Sequence, residues 1–264
     1  MNLLRMEWRA LRRSTLLWSL ALAATAVLLL AFYPGFARDA AIFNKLLDAY
    51  PDAVKQVIGL KTGDLTSLNG YFSFVLTYLS LAAAIQATNA GLGPLSREVR
   101  DKTADFLLAK PVTRTQVVTA KLIAALFSLL VTNLVLLLTV LAVAGGVSSE
   151  VDYGPLALLT LTVGLIQLLF WGLGLFLAAL LPKVSSVLPL SLSVVFGFFA
   201  VGMVASLVGE RAARYLTPFR YYDPAYIRAH SAYEGGFLLL ELALLVLLTA
   251  TAYIVYRRKD IHAV

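Results

Sequence analysis

Few residues in this chain could do bond chemistry. It contains no cysteine and only two histidines, His230 and His262. Thiolate chemistry, disulfides and a histidine-built metal centre therefore lack ligands. Neither Gly-x-x-x-x-Gly-Lys-[Ser/Thr], His-Glu-x-x-His nor Gly-x-Ser-x-Gly occurs. Those motifs would supply a phosphate-cradling loop, a zinc hydrolase helix or a nucleophile elbow. What remains is one carboxylate inside an apolar run, Glu241, a few amides in other runs, and one dense charged block, Ser96–Arg114. The chemistry on offer is polar recognition rather than catalysis, and no catalytic, cofactor or metal residue is expected in this chain.

The elements that must position these residues are membrane helices. The chain has 264 residues, 60% hydrophobic and 14% charged, against about 25% charged in a soluble domain. Charge-free runs cover 14–37, 65–96, 122–149, 153–182 and 184–209, and 235–256 holds Glu241 alone. Each is long enough to cross a bilayer as a helix, and none alternates as a barrel strand would. The sequence thus predicts an all-α polytopic membrane protein forming a single transmembrane domain over 1–264, with six spans near 15–33, 70–95, 117–145, 156–181, 184–208 and 236–256. The net charge of +7 follows from basic residues held in loops on one side of the membrane, so it does not point to nucleic acid. With the N-terminus inside, 14 of the 22 Lys and Arg residues fall on the cytoplasmic side. Both termini and the 96–114 block are then cytoplasmic.

The N-terminal segment places Leu4, Trp8 and Leu11 on one helical stripe and Arg5, Arg9 and Arg12 on another. That pattern predicts an interfacial amphipathic helix whose arginines reach lipid headgroups. The first outer segment predicts two short amphipathic helices, one from Phe43, Leu46, Leu47 and Tyr50, the next from Val54, Val57 and Ile58 after Pro51. In the second run, Ala83, Ala87 and Gly91 recur at the spacing that lets backbones approach closely in lipid. Gly93-Pro94 is expected to loosen this helix. Thr113-Arg114-Thr115-Gln116 reads as a capping box opening the third span. The short links predict that spans four and five are antiparallel neighbours. The last outer segment, 210–234, is rich in aromatics, and a short helix could re-enter the membrane there.

Gln86, Asn89, Asn133 and Gln167 are the amides that bind helices together in lipid. Asn133 and Glu241 are also the candidates for a substrate path. Glu241 lies roughly 9 Å into its span at 1.5 Å per residue, where a carboxylate can snorkel or pair with an outer-loop arginine. Ion-coupled carriers place ionisable groups at mid-membrane, and five of the six runs have none. A secondary carrier is disfavoured on that ground.

The 96–114 block sets Val99, Thr103, Phe106 and Leu107 on one helical face and mixes Glu98, Arg100, Asp101, Lys102 and Asp105 around the rest. Such a helix can dock in a partner's groove, or simply be a solvated loop. Its motifs tip the balance. Glu98, Thr103, Leu107-Leu108, Pro111-Val112-Thr113-Arg114 and then Lys121 resemble the first cytoplasmic loop of ATP-binding cassette (ABC) type-2 exporter permeases. Tyr50-Pro51 through Gly59 with Asp64-Leu65-Thr66 and Gly70, and Thr217-Pro218-Phe219-Arg220-Tyr221-Tyr222-Asp223, are similar to the same group. Lys102 departs from the pattern, standing where a glycine is usual.

The resemblance implies a transmembrane subunit working as a dimer with a second copy or a homologous permease. ATP and magnesium would be handled by separate ATPase (nucleotide-binding) subunits. It implies that 97–110 is a coupling helix between spans two and three, with Glu98, Val99, Arg100, Thr103, Asp105, Phe106, Leu107, Pro111 and Arg114 at the ATPase contact. It implies that the N-terminal segment is the connecting helix and that the protein lies in a bacterial inner membrane. A membrane anchor or sensor subunit that recruits the ATPase without transport is the alternative.

Overall fold

The computed structural model describes residues 3–39, 67–100, 113–181, 184–208 and 214–258. The two outer amphipathic helices expected between residues 43 and 58 lie outside these residues, as do Thr103, Asp105, Phe106, Leu107 and Pro111 of the 96–114 block. Described residues form helices α1 (Leu3–Ala31), α2 (Tyr33–Arg38), α3 (Leu68–Arg100), α4 (Arg114–Val147), α5 (Tyr153–Leu180), α6 (Val187–Val208), α7 (Pro224–His230) and α8 (Gly235–Arg258), with a 3₁₀ turn at Pro218–Arg220. Among the described residues, six helices are long and apolar enough to cross a membrane. The protein is an all-α polytopic membrane protein.

The N-terminal segment differs from expectation. No separate helix precedes the first span, because Leu3–Ala31 is one uninterrupted helix. It has no glycine or proline to break it, and one buried stripe runs its whole length through Glu7, Leu11, Thr15, Ser19, Leu22, Ala26 and Leu30. That stripe packs on α4, so the same contact that seats the span also seats the first turns. Arg5, Arg9 and Arg12 are exposed on the opposite face. The helix ends at Phe32, where Pro34 has no N–H to offer the carbonyl of Leu30.

Helices α3 and α5 pack most extensively and form the centre of the bundle. Ala83 and Ala87 are fully buried, and Gly91 meets α5 so closely that a Cβ there would lie 2.4 Å from the Trp171 carbonyl oxygen. The small-residue spacing in the sequence is thus a backbone seam. Pro94 does not loosen α3, which continues to Arg100. Nearby, the Ser96 hydroxyl donates to the Leu92 carbonyl at 2.7 Å.

Helices α1 and α4 pack as a second pair on one flank, and α8 covers α5 on the other. Gly172 of α5 makes room for Leu245 of α8, whose Cδ1 would lie 3.1 Å from an added Cβ. Helix α6 touches α5, in keeping with the short link, but packs more extensively elsewhere. Its backbone packs on α3, and it meets α5 through side chains such as the edge-to-face pair Phe170–Phe198 at 5.9 Å.

The segment after α6 folds back into the bundle. Thr217 is fully buried and donates its hydroxyl to the Phe198 carbonyl at 3.0 Å. Phe219 packs on Phe170 and Phe199, ring centres 5.0 and 5.8 Å away. Gly202 admits this turn, since a Cβ there would lie 3.0 Å from Thr217 Cγ2. The chain then climbs through Asp223, whose carboxylate caps α7 by accepting from the Ala225 N–H.

Candidate functional site

Three polar assemblies stand out, one at each end of the bundle and one through its middle. At the end where α1 begins, Glu7 is buried, 3% exposed. It pairs with Lys121 of α4 at 3.2 Å and with Arg97 of α3 at 3.5 Å. Lys121 is itself 1% exposed and donates a second bond to the Pro94 carbonyl at 2.7 Å. Three helices therefore meet on one carboxylate, and two of them flank residues 101–112. A charge this deeply buried is tolerated only when paired and hydrogen-bonded, and both conditions hold here.

Next to this junction, Thr113 caps α4. Its hydroxyl accepts from the Gln116 N–H at 3.2 Å, while the Gln116 side chain accepts from the Thr113 N–H at 3.0 Å. This is the capping box that the sequence predicts. Arg114 is the first residue of α4 and half-buried, and Arg100 is exposed at the end of α3. Glu98 and Val99 lie in the last turn of α3, with side chains outside the described residues. Within the N-terminal set, Leu4 is exposed, Leu11 is buried, and Trp8 packs edge-on against Phe127 at 4.7 Å.

The middle assembly joins α1, α3, α4 and α5. Thr15 and Ser128 share a hydrogen bond of 2.6 Å, and Ser19 donates to Thr132 at 3.3 Å. Gln86 donates to Thr132 at 2.9 Å. Gln167 donates to Gln86 at 3.0 Å and to the Ala83 carbonyl at 3.3 Å, and accepts from Asn133 at 2.5 Å. Asn133, Gln86 and Gln167 are thus tied to one another across three helices, as expected for interhelical amides. Asn89 does not join these bonds. Gly164 lets Asn133 approach α5, since a Cβ there would lie 3.1 Å from the Asn133 Oδ1.

At the far end, Glu241 is 4% exposed and accepts the Tyr222 phenol at 2.5 Å. Among the described residues its partner is this phenol and not an arginine. Arg214 instead grips Glu234 through two bonds at 3.2 and 2.5 Å, with its guanidinium carbon 4.0 Å over the Phe237 ring centre. Tyr233 donates to the Leu158 carbonyl at 2.6 Å. Burial, followed by the bond to Glu241, pushes the Tyr222 phenol far above its ordinary value. Burial raises Tyr221 and Tyr233 as well. The Tyr222 and Tyr233 phenols act as donors that fasten this segment to α8 and α5.

Sequence reasoning passed over Glu7. Its signal was available: it is the one acid among Arg5, Arg9, Arg12 and Arg13, in a segment whose topology needs only positive charge.

Six described helices long and apolar enough to cross a membrane define an integral membrane protein. A family model described as ABC-2 family transporter protein matches residues 1–261. The chain belongs to that family, and its role is that of a permease, the membrane-spanning part of an ABC transporter. None of the curated proteins matches its sequence.

Proposed function

We propose that this chain is the export permease of an ABC transporter, working as a dimer with a second copy or a homologous permease. Separate ATPase subunits, which bind ATP and magnesium, dock on 97–110 and drive it. It sits in a bacterial inner membrane with both termini cytoplasmic. The observation that carries this reading is the convergence on Glu7. The two helices flanking 101–112 are tied together at the same end of the bundle as the exposed arginines of α1. The positive-inside bias puts that end in the cytoplasm, where an ATPase could reach the block. Glu98, Arg100, Thr103, Asp105, Phe106, Leu107, Pro111 and Arg114 would form the contact, with Val99 on the apolar face. ATP-driven closure of the ATPase pair would draw the two permeases together at this end and open the path at the other. Asn133 and Glu241 are the candidates for the substrate path in this reading.

Co-purification tests it. An ATPase subunit should accompany the wild-type chain in lipid nanodiscs and be lost from the double variant Glu98→Ala, Phe106→Ala. Full recovery of the ATPase with the variant would refute the docking site. Its absence from both would return the block to a solvated loop.

A further inference from the structure

The junction around Glu7 is more than a fastening. Apolar packing would join three helix ends without the desolvation of a carboxylate and an ammonium, and buried ion pairs are often no more stable than an apolar replacement. What a buried pair adds is a fixed geometry. Arg97 lies in the last turn of α3, just before residues 101–112, and Lys121 lies near the start of α4, just after them. Both reach the same carboxylate on α1. Lys121 also holds the Pro94 carbonyl of α3, so the two flanking helices are bound to each other as well as to α1. Trp8, one residue on, packs on Phe127 of α4 and braces the same contact.

We propose that Glu7 is the positioning residue that makes the first span move as one body with both helix ends flanking 101–112. Force applied to that segment then reaches α1 directly. The proposal rests on the ATPase-docking reading above. Without the tie, α3 and α4 could shift while α1 stayed behind. The carboxylate does this rather than the loop itself, because it is the shared partner of both helices.

The chain has no native cysteine, so spin labels can be placed by Arg12→Cys on α1 and Thr119→Cys on α4, both exposed positions. Their separation is read by pulsed electron spin resonance on the permease–ATPase complex in nanodiscs, with and without ATP and vanadate. With Glu7 in place, one narrow distance is expected in both states. In Glu7→Gln, with the ATPase bound at wild-type yield, ATP should broaden the distribution and shift it by about 2 Å, the scale of helix shifts in switching proteins. Lys121→Arg, which keeps the charge and the donors, should behave like the wild type. If Glu7→Gln does not fold, Arg97→Gln removes the partly exposed arm and spares the buried pair. The separation of Arg12→Cys from Gly93→Cys on α3, where an added Cβ meets nothing within 4 Å, should then become ATP-sensitive. Unchanged distances in the variants, with ATPase bound, overturn the tie alone, as does a wild-type distance that moves with ATP. Failure of any ATPase to accompany the wild type overturns the docking reading and the proposal with it.

Discussion

Gly174 of α5 faces Gly91 of α3 so closely that a Cβ on Gly174 would stand 3.2 Å from the Gly91 Cα and 2.6 Å from the Thr88 carbonyl oxygen. Lipid offers no hydrophobic force to press two helices together, so van der Waals contact and hydrogen bonds must do it. Backbone contact at this seam fixes the central pair on which the other spans are mounted. Gly91→Ala should force the seam apart and destabilise the fold by about 1–3 kcal/mol, the usual cost of overpacking. Gly197→Ala is the control. A Cβ at that position meets nothing within 4 Å, and helical alanine is favoured over glycine by roughly 0.5–1 kcal/mol. Thermal unfolding in detergent should lower the midpoint in the first variant and hold or raise it in the second.

Gln167 should be the costliest of the buried amides to remove. It makes two bonds to α3 and one to α4. Gln167→Leu would leave the Gln86 carbonyl oxygen without its donor and the Asn133 amide with only its bond to the Leu129 carbonyl. Interhelical hydrogen bonds in membranes average about 0.6 kcal/mol each, so a loss of about 1–2 kcal/mol is expected. Asn133→Leu, which removes one of the three bonds, should cost less. Denaturant unfolding of the two variants in one detergent gives the comparison, and equal losses would show that the amides do not act as a chain.

Tyr222→Phe should weaken the far end by about 1–3 kcal/mol, because it leaves the buried Glu241 carboxylate without its phenol donor. The pH dependence has a definite sign. Folding holds the Tyr222 proton more tightly than the unfolded chain, whose phenol ionises near 10.0. The advantage of the wild type over Tyr222→Phe should therefore shrink above about pH 10, where the unfolded state loses the proton first. Unfolding midpoints of both proteins across that range measure it. A gap that widened in alkali would contradict the bond.

Thr113→Ala should cost about 1 kcal/mol, the usual value of an N-cap. Thr113 is exposed, so the loss would come from the cap rather than from packing. Protection of the first-turn amides of α4 in hydrogen exchange should fall while protection deeper in the helix is kept. Loss of protection along the whole of α4 would assign Thr113 a role beyond capping.

Much of the architecture is legible in the amino-acid sequence. Long charge-free runs can satisfy their backbone in lipid only as helices, so span number followed from hydropathy. Thr113 and Gln116 could be read as a cap because both partners lie three residues apart. Gly91 could be read as a close contact because small residues recur every fourth position on one face. The interfacial N-terminal helix was misread for an equally physical reason. Local amphipathicity does not reveal whether a helix stops before the membrane or continues into it; the stripe from Glu7 to Leu30 decides that through its packing on α4. Short links place α6 beside α5, where Phe198 meets Phe170, but they do not reveal that α6 packs more extensively on α3.

The sequence by itself determined the class of protein, the number of spans, the polar residues that needed partners, and which segments could be reached from water. These depend on composition and on spacings of a few residues, where chain connectivity already fixes what is near what. Tertiary structure alone decided the partners: Glu7 with Lys121 and Arg97, Glu241 with Tyr222, and Gln167 with Gln86 and Asn133. Pairing across helices depends on the rotation and depth of each span, which hydropathy leaves free and which side-chain volumes, glycine contacts and buried charges fix only when the bundle closes.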